Sequence, residues 1–143
     1  MTEAIQQNKV HISWEEVEAE AYKAAGIIEE LLYPKYRHVI LAVFPRGGFI
    51  PAVLISHIFK NLSSEIITHY NVDAYNKDIK NEIILVDDIL DTGATYMADY
   101  QILFNCPNSV TLFHKTHSPD LSMLYKGKQF NSNDWLVFPW EKE

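Results

Sequence analysis

The stretch Ile83–Thr95, read as IILVDDILDTGAT, constrains this chain more than any other segment. Four apolar β-formers run into two adjacent acids. Two further apolar residues follow, and Asp91-Thr92-Gly93-Ala94-Thr95 then opens a helical stretch. Such a run reads as a buried strand of a parallel sheet. Its acids fall at the carboxyl edge, where open α/β folds bind ligands. The turn beyond is small and contains glycine, so backbone N–H groups can approach an anion closely, and the helix N-terminus behind it adds a favourable dipole. Carboxylates suited to sugar hydroxyls or magnesium, beside a cradle for an anion, fit a phosphorylated sugar.

The flanking pattern predicts what surrounds that strand. Ser13 followed by Glu16 has the form of a capping box. Trp14, Val17, Ala21, Ala24, Ile28 and Leu31 recur at spacings of three and four, which predicts one apolar face of a helix of roughly five turns, closed by Pro34. Val39–Phe44 predicts a buried strand, Pro45-Arg46-Gly47-Gly48 a loop, and Ile50–Phe59 a helix that tolerates Pro51 in its first turn. Glu65–Tyr70 predicts a strand, Asn71–Asn81 a polar loop, Thr95–Phe104 a helix, Ser109–His114 a strand and Trp135–Phe138 a last short strand. Residues 115–134, with Pro119 and Gly127, read as mostly irregular. Strands alternating with helices predict an α/β, doubly wound, mainly parallel sheet with flanking helices. No repeat or linker interrupts the chain, so 1–143 reads as one domain.

With 143 residues, 48% of them hydrophobic, the chain is long enough for a real core. The net charge of −7 and the lack of a basic stripe argue against nucleic acid as the main partner. An anionic ligand then needs local cations or magnesium, because the overall field repels it. The single cysteine, Cys106, has no internal disulfide partner, which fits a cytoplasmic protein. The N-terminus MTEAIQQNK is polar and unlike a signal peptide, and the apolar runs are too short for an integral membrane segment. His114 and His117 lack further spaced ligands, so no zinc site is predicted. A GxxxxGK phosphate loop is absent.

At Ile83–Thr95 the sequence resembles the type I phosphoribosyltransferases, whose signature is a hydrophobic run, two acids, two hydrophobics and Asp-Thr-Gly-Gly/Ala-Thr. SWEE near the start, PRGG at 45–48, FHK at 113–115 and the tail DWLVFPWE extend the resemblance. They make most of the chain similar to the short bacterial xanthine-guanine and hypoxanthine phosphoribosyltransferases. The resemblance implies the type I phosphoribosyltransferase fold and a purine salvage transferase. Its reaction would move a 5-phosphoribosyl group from phosphoribosyl pyrophosphate to guanine, xanthine or hypoxanthine, with Mg2+ as cofactor.

The resemblance also implies a set of roles. Asp87 and Asp88 would reach the ribose hydroxyls, directly or through magnesium. Asp91 would be the catalytic proton partner near the purine N7. Asp91, Thr92, Gly93, Ala94 and Thr95 would hold the 5′-phosphate, and Arg46 and Gly47 the pyrophosphate. Lys77 or Lys80, in the short loop 71–81, would neutralise pyrophosphate on closure. Lys115 would donate to the purine 6-oxo oxygen, Trp135 would stack on the base, and Leu136 would contact it through its backbone. Asp88 and Glu141 would serve the metal. Relatives often carry a non-proline cis peptide in the pyrophosphate loop; between Pro45 and Arg46 it would not be an X–Pro bond. A homo-oligomer, dimer or tetramer, is also implied, with the apolar 49–59 segment as part of a contact.

Each residue also has a plainer reading. Acid pairs and strand-end lysines are often just solvated, a glycine turn often carries a solvent-facing arginine, and tryptophan often packs in a core. The fixed spacing from Asp87 to Thr95 weighs against that reading for the acids. Two rival classes use related residues. One is a non-catalytic regulatory protein that binds phosphoribosyl pyrophosphate or a nucleotide on the same fold. The other is a receiver-like phosphoacceptor domain, whose acid pair should end the first strand, whereas here it ends roughly the third. Lys115 and Trp135 favour an enzyme, since a sensor needs no base pocket.

Overall fold

The computed structural model describes residues 8–68, 71, 82–91, 108–119 and 122–142. In chain order the elements are β1 (Asn8–His11), α1 (Trp14–Leu32), β2 (His38–Val43), α2 (Phe49–Ile58), β3 (Ser63–Thr68), β4 (Ile83–Leu90), β5 (Asn108–Lys115), β6 (Tyr125–Phe130) and β7 (Asp134–Val137). The helix expected at 95–104 and nearly all of the loop 71–81 lie outside the described residues.

Helix α1 begins where its sequence says it should. Ser13 is extended, its Oγ accepts the Glu16 N–H at 3.1 Å, and Glu16 accepts the Ser13 N–H at 3.1 Å. These bonds satisfy two N–H groups that a bare helix start would leave open. The buried face comprises Val17, Glu20, Ala21, Ala24, Ala25, Ile28 and Leu32. Leu31 and Trp14, placed on that face by spacing alone, are 58% and 46% exposed. From Ile28 the stripe continues by four residues, not three, so Leu32 takes the inward position and Leu31 faces out. The helix stops at Leu32, with the Tyr33 N–H donating to the Glu29 carbonyl at 2.9 Å.

The main sheet is parallel throughout, in the order β3-β2-β4-β5-β6. From β2 the chain steps outward to β3, then returns to the other side of β2 for β4 and continues outward to β5 and β6. The order therefore reverses between β2 and β4, the switch point at which open α/β sheets leave a crevice beyond their carboxyl ends. One face buries Val39, Leu41, Val43, Ile84, Val86, Val110 and Leu112 with the inner faces of α1 and α2. The other buries Ile40, Ala42, Phe44, Ile83, Leu85 and Leu90. Apolar residues on both faces explain the uninterrupted hydrophobic runs of β2 and β4.

Three expectations are corrected. First, β4 does not end at Val86 but runs through both acids to Leu90, because β5 extends its ladder to Asp87↔Thr111, Ile89↔Phe113 and Leu90↔His114. Tertiary pairing here overrides the low strand preference of aspartate. Second, 115–134 is not mostly irregular: 125–130, YKGKQF, forms the edge strand β6. Its lysines and glycine hide it from a pattern search, and such residues are common on edges. Third, β1 was not anticipated. It pairs in parallel with β7 in a separate two-stranded sheet, Lys9 opposite Trp135 and Val10 opposite Leu136. The acid pair accordingly lies in the fourth strand of the chain.

Candidate active site at the switch point

Asp87 and Asp88 lie where β4 outruns its pairing with β2, which stops at Val43↔Val86. Asp87 is buried and Asp88 half-buried. Asp87 Oδ1 accepts the Asp88 N–H at 2.9 Å, and Asp88 Oδ1 accepts the Ile89 N–H at 2.7 Å. Burial pushes the Asp87 carboxyl well above the usual carboxylate range, and the neighbouring Asp88 charge pushes it further. Burial also raises Asp88. Two desolvated acids side by side hold charge at a cost that a bound cation or hydroxyl donors would relieve.

The loop after β2 faces this pair. The Phe44 N–H donates to the Val86 carbonyl at 3.2 Å, and the Gly48 N–H turns back to the Phe44 carbonyl at 2.9 Å. The Pro45–Arg46 peptide is cis. Gly47 is pressed against Asp88: a Cβ there would lie 2.6 Å from the Asp88 carboxylate carbon, so glycine leaves the acid uncovered. Arg46, Gly47, Phe49, Ile50, Asp88, Trp140, Glu141 and Lys142 line one cavity of about 900 Å³. Glu141 reaches it because the end of the chain is held by aromatic rings. Trp140 stacks on Phe138 at 4.8 Å, meets Trp14 at 5.7 Å, and Phe138 packs on the buried Phe113 at 5.7 Å.

A second group gathers at the ends of β4 and β5. Asp91 follows β4 directly, with its side chain 48% exposed. Lys115 ends β5 and is buried, its ammonium donating to the Asp134 carbonyl and lying 4.0 Å from Asp91 Oδ2. A strand-end lysine is ordinarily solvated; this one is not. His117 Nε2 lies 2.5 Å from Asp91 Oδ1. Trp135, the second residue of β7, is 53% exposed with the Lys9 ammonium 6.0 Å from its ring centre, so it is not a core residue. Leu136 is buried and pairs with Val10 across the β1–β7 ladder.

The structure thus gathers Arg46, Gly47, Asp88 and Glu141 around one cavity, and Asp91 with Lys115 at the adjacent strand ends. Thr92, Gly93, Ala94, Thr95, Lys77 and Lys80 lie outside the described residues. Sequence reading missed His117, Trp140 and Lys142 as site neighbours. For His117 the only available signal was its position two residues beyond the strand-end lysine.

Oxygen donors from Asp88 and Glu141 on a shared cavity, with no Cβ at Gly47 to cover the first, suit a hard divalent cation such as Mg2+. Among the described residues no group of three or more histidine, cysteine or acidic side chains is arranged as a protein-only metal cage. A Mg2+ ion bound by one or two carboxylates takes its other ligands from substrate and water.

A parallel sheet with this switch point and flanking helices is the fold of the type I phosphoribosyltransferases. Neither a protein-family model nor a curated protein matches the sequence. Among solved structures, the chain is similar to a purine phosphoribosyltransferase from Pyrococcus horikoshii, with a TM-score of 0.70 at 24% identity over 95% of this chain and 96% of that one. It is similar to a protein of Neisseria gonorrhoeae with bound ppGpp, with a TM-score of 0.69 at 16% identity over 95% and 90% of the two chains. It is also similar to the Helicobacter pylori xanthine-guanine-hypoxanthine phosphoribosyltransferase, with a TM-score of 0.61 at 21% identity over 94% and 93%. At these identities the likeness establishes the fold. No helix among the described residues is long and apolar enough to cross a membrane.

Proposed function

We propose that the protein is a purine phosphoribosyltransferase that uses phosphoribosyl pyrophosphate and a 6-oxopurine. The observation that carries this reading is the cavity that joins Arg46 and Gly47 to Asp88 and Glu141 at the switch point, with Lys115 and Asp91 at the neighbouring strand ends. Asp87 and Asp88 would hold the ribose hydroxyls, and Arg46 with the Gly47 backbone the pyrophosphate, as a guanidinium and an exposed N–H suit its oxygens. Asp88 and Glu141 would hold Mg2+, which when bound offsets charge on the diphosphate. The purine N9 lone pair bonds to C1 of the sugar, the C1–O electron pair leaves with pyrophosphate, and the N7 proton passes to Asp91. Positioning and charge stabilisation account for most of such a rate enhancement. The Thr92–Thr95 segment completes this reading as the 5′-phosphate cradle, and Lys77 as a further pyrophosphate cation.

A second reading is a non-catalytic nucleotide-binding regulator on the same fold. The specific observation in its favour is that the Neisseria gonorrhoeae neighbour has bound ppGpp. Pyrophosphate release assayed with guanine, hypoxanthine, xanthine and adenine separates the two. The transferase reading expects turnover with at least one 6-oxopurine and its loss on adding excess chelator. Tight binding of a guanosine polyphosphate without turnover of any base would establish the regulator instead.

A further inference from the structure

The turn after β5 carries a side chain to which the transferase reading gives no task. His117 Nε2 lies 2.5 Å from Asp91 Oδ1, while Asp91 Oδ2 lies 4.0 Å from the Lys115 ammonium. The two carboxylate oxygens therefore have different neighbours. The turn that delivers His117 is tied at several points. The Thr116 N–H donates to the Phe130 carbonyl at 2.9 Å, and the Ser118 N–H to the Lys115 carbonyl at 2.9 Å. The Thr116 hydroxyl lies 2.6 Å from the Ser132 hydroxyl and accepts the Ser132 N–H at 3.0 Å. A histidine at 39% exposure has no burial that forces this pairing; the anchored turn aims it.

We infer that His117 is a positioning residue for Asp91. The ionised carboxylate only accepts, so Nε2 carries the proton and donates to Oδ1. That charge-assisted bond restrains rotation of the carboxylate. It leaves Oδ2, on the side of Lys115, to take the purine proton. The base would then meet one oriented acceptor at the end of β4 and one oriented donor at the end of β5. This role rests on the transferase reading above, and it goes further by explaining how an exposed aspartate keeps a single orientation.

The test compares steady-state kinetics of His117→Ala, His117→Gln, Asp91→Asn and the His117→Ala/Asp91→Asn double variant with the unmodified protein. His117→Ala should lower kcat about tenfold, less than the roughly 10²–10⁴-fold of the proton-transferring group itself, with the KM for phosphoribosyl pyrophosphate little changed. His117→Gln keeps an N–H donor and should recover most of the loss. In the Asp91→Asn background His117→Ala should cost nothing more, because the two residues act as one unit. An unchanged kcat in His117→Ala, a loss confined to KM, no rescue by glutamine, or an equal loss in both backgrounds would each overturn the positioning role while leaving the transferase reading intact. An unmodified protein that turns over none of the four bases overturns that reading, and this role with it. Unfolding temperatures of the variants show whether the turn itself is intact.

Discussion

Two residues at the switch point show how burial and close packing shape the site. Asp87 is a carboxyl that desolvation and Asp88 push upward, so it holds its proton more firmly in the folded chain than in the unfolded one. Ionising it as the pH rises therefore costs the folded state stability. Asp87→Asn should raise the unfolding temperature of the metal-free protein at neutral pH, and the gain should vanish as the pH falls below the ordinary carboxylate value, where both states are protonated. Thermal unfolding across that range checks the sign. Gly47 tells the complementary story. Adding a methyl 2.6 Å from the Asp88 carboxylate carbon forces one of them to move. Overpacking of this kind costs about 1–3 kcal/mol, so on the transferase reading Gly47→Ala should weaken magnesium-dependent binding of phosphoribosyl pyrophosphate by roughly 5- to 150-fold. Calorimetry that found wild-type affinity would remove Gly47 from the site. The acids were marked by their fixed spacing to Thr95, and Gly47 by the PRGG motif. His117 was not, because its pairing with Asp91 joins residues brought together only by the β4–β5 ladder.

At the scale of elements, α1, α2, the inner strands and the edge strand β3 were legible, whereas β1 and the opposite edge strand β6 were not. The capping box of α1 and the apolar runs of β2, β4 and β5 are local signals, and each element forms near where its pattern placed it. Strand β6 depends instead on a distant acid. Glu20, on the buried face of α1, accepts the Tyr125 hydroxyl at 2.8 Å and the Lys128 N–H at 2.7 Å, and Lys23 lies 3.3 Å from it. Burial and the Glu20 carboxylate push the Tyr125 phenol upward, so it remains a donor. Gly127 sits between those contacts, where a Cβ would fall 2.6 Å from Glu20 Oε1 and meet the Leu112 carbonyl. No window of six residues carries that information. Glu20→Leu should remove the acceptor of both bonds at a cost of about 0.5–1.5 kcal/mol each, read by denaturant unfolding. Stability equal to the unmodified protein would mean that β6 is held by its ladder with β5 alone.

On the scale of the whole molecule, the site is an assembly of segments far apart in sequence: the loop after β2, the end of β4, the end of β5 and the aromatic-anchored tail. The reversal of strand order sets the first two side by side. The contact between the Lys115 ammonium and the Asp134 carbonyl sets the third against β7 and Trp135. That arrangement predicts which bases the protein accepts. Lys115 has only donors, and one is already committed, so it can satisfy an oxygen at purine position 6 but not an amino group. Adenine would bring further donors to a buried ammonium, and such a mismatch costs on the order of 1–3 kcal/mol or more. Since about 1.4 kcal/mol is a factor of ten, guanine should exceed adenine in kcat/KM by roughly tenfold or more. Trp135, exposed at the start of β7, should add affinity by stacking without discriminating, because every purine offers a π face. Lys115→Ala should then narrow the gap between guanine and adenine, whereas Trp135→Ala should weaken both alike. Comparable kcat/KM for the two bases in the unmodified protein would remove Lys115 from the base pocket.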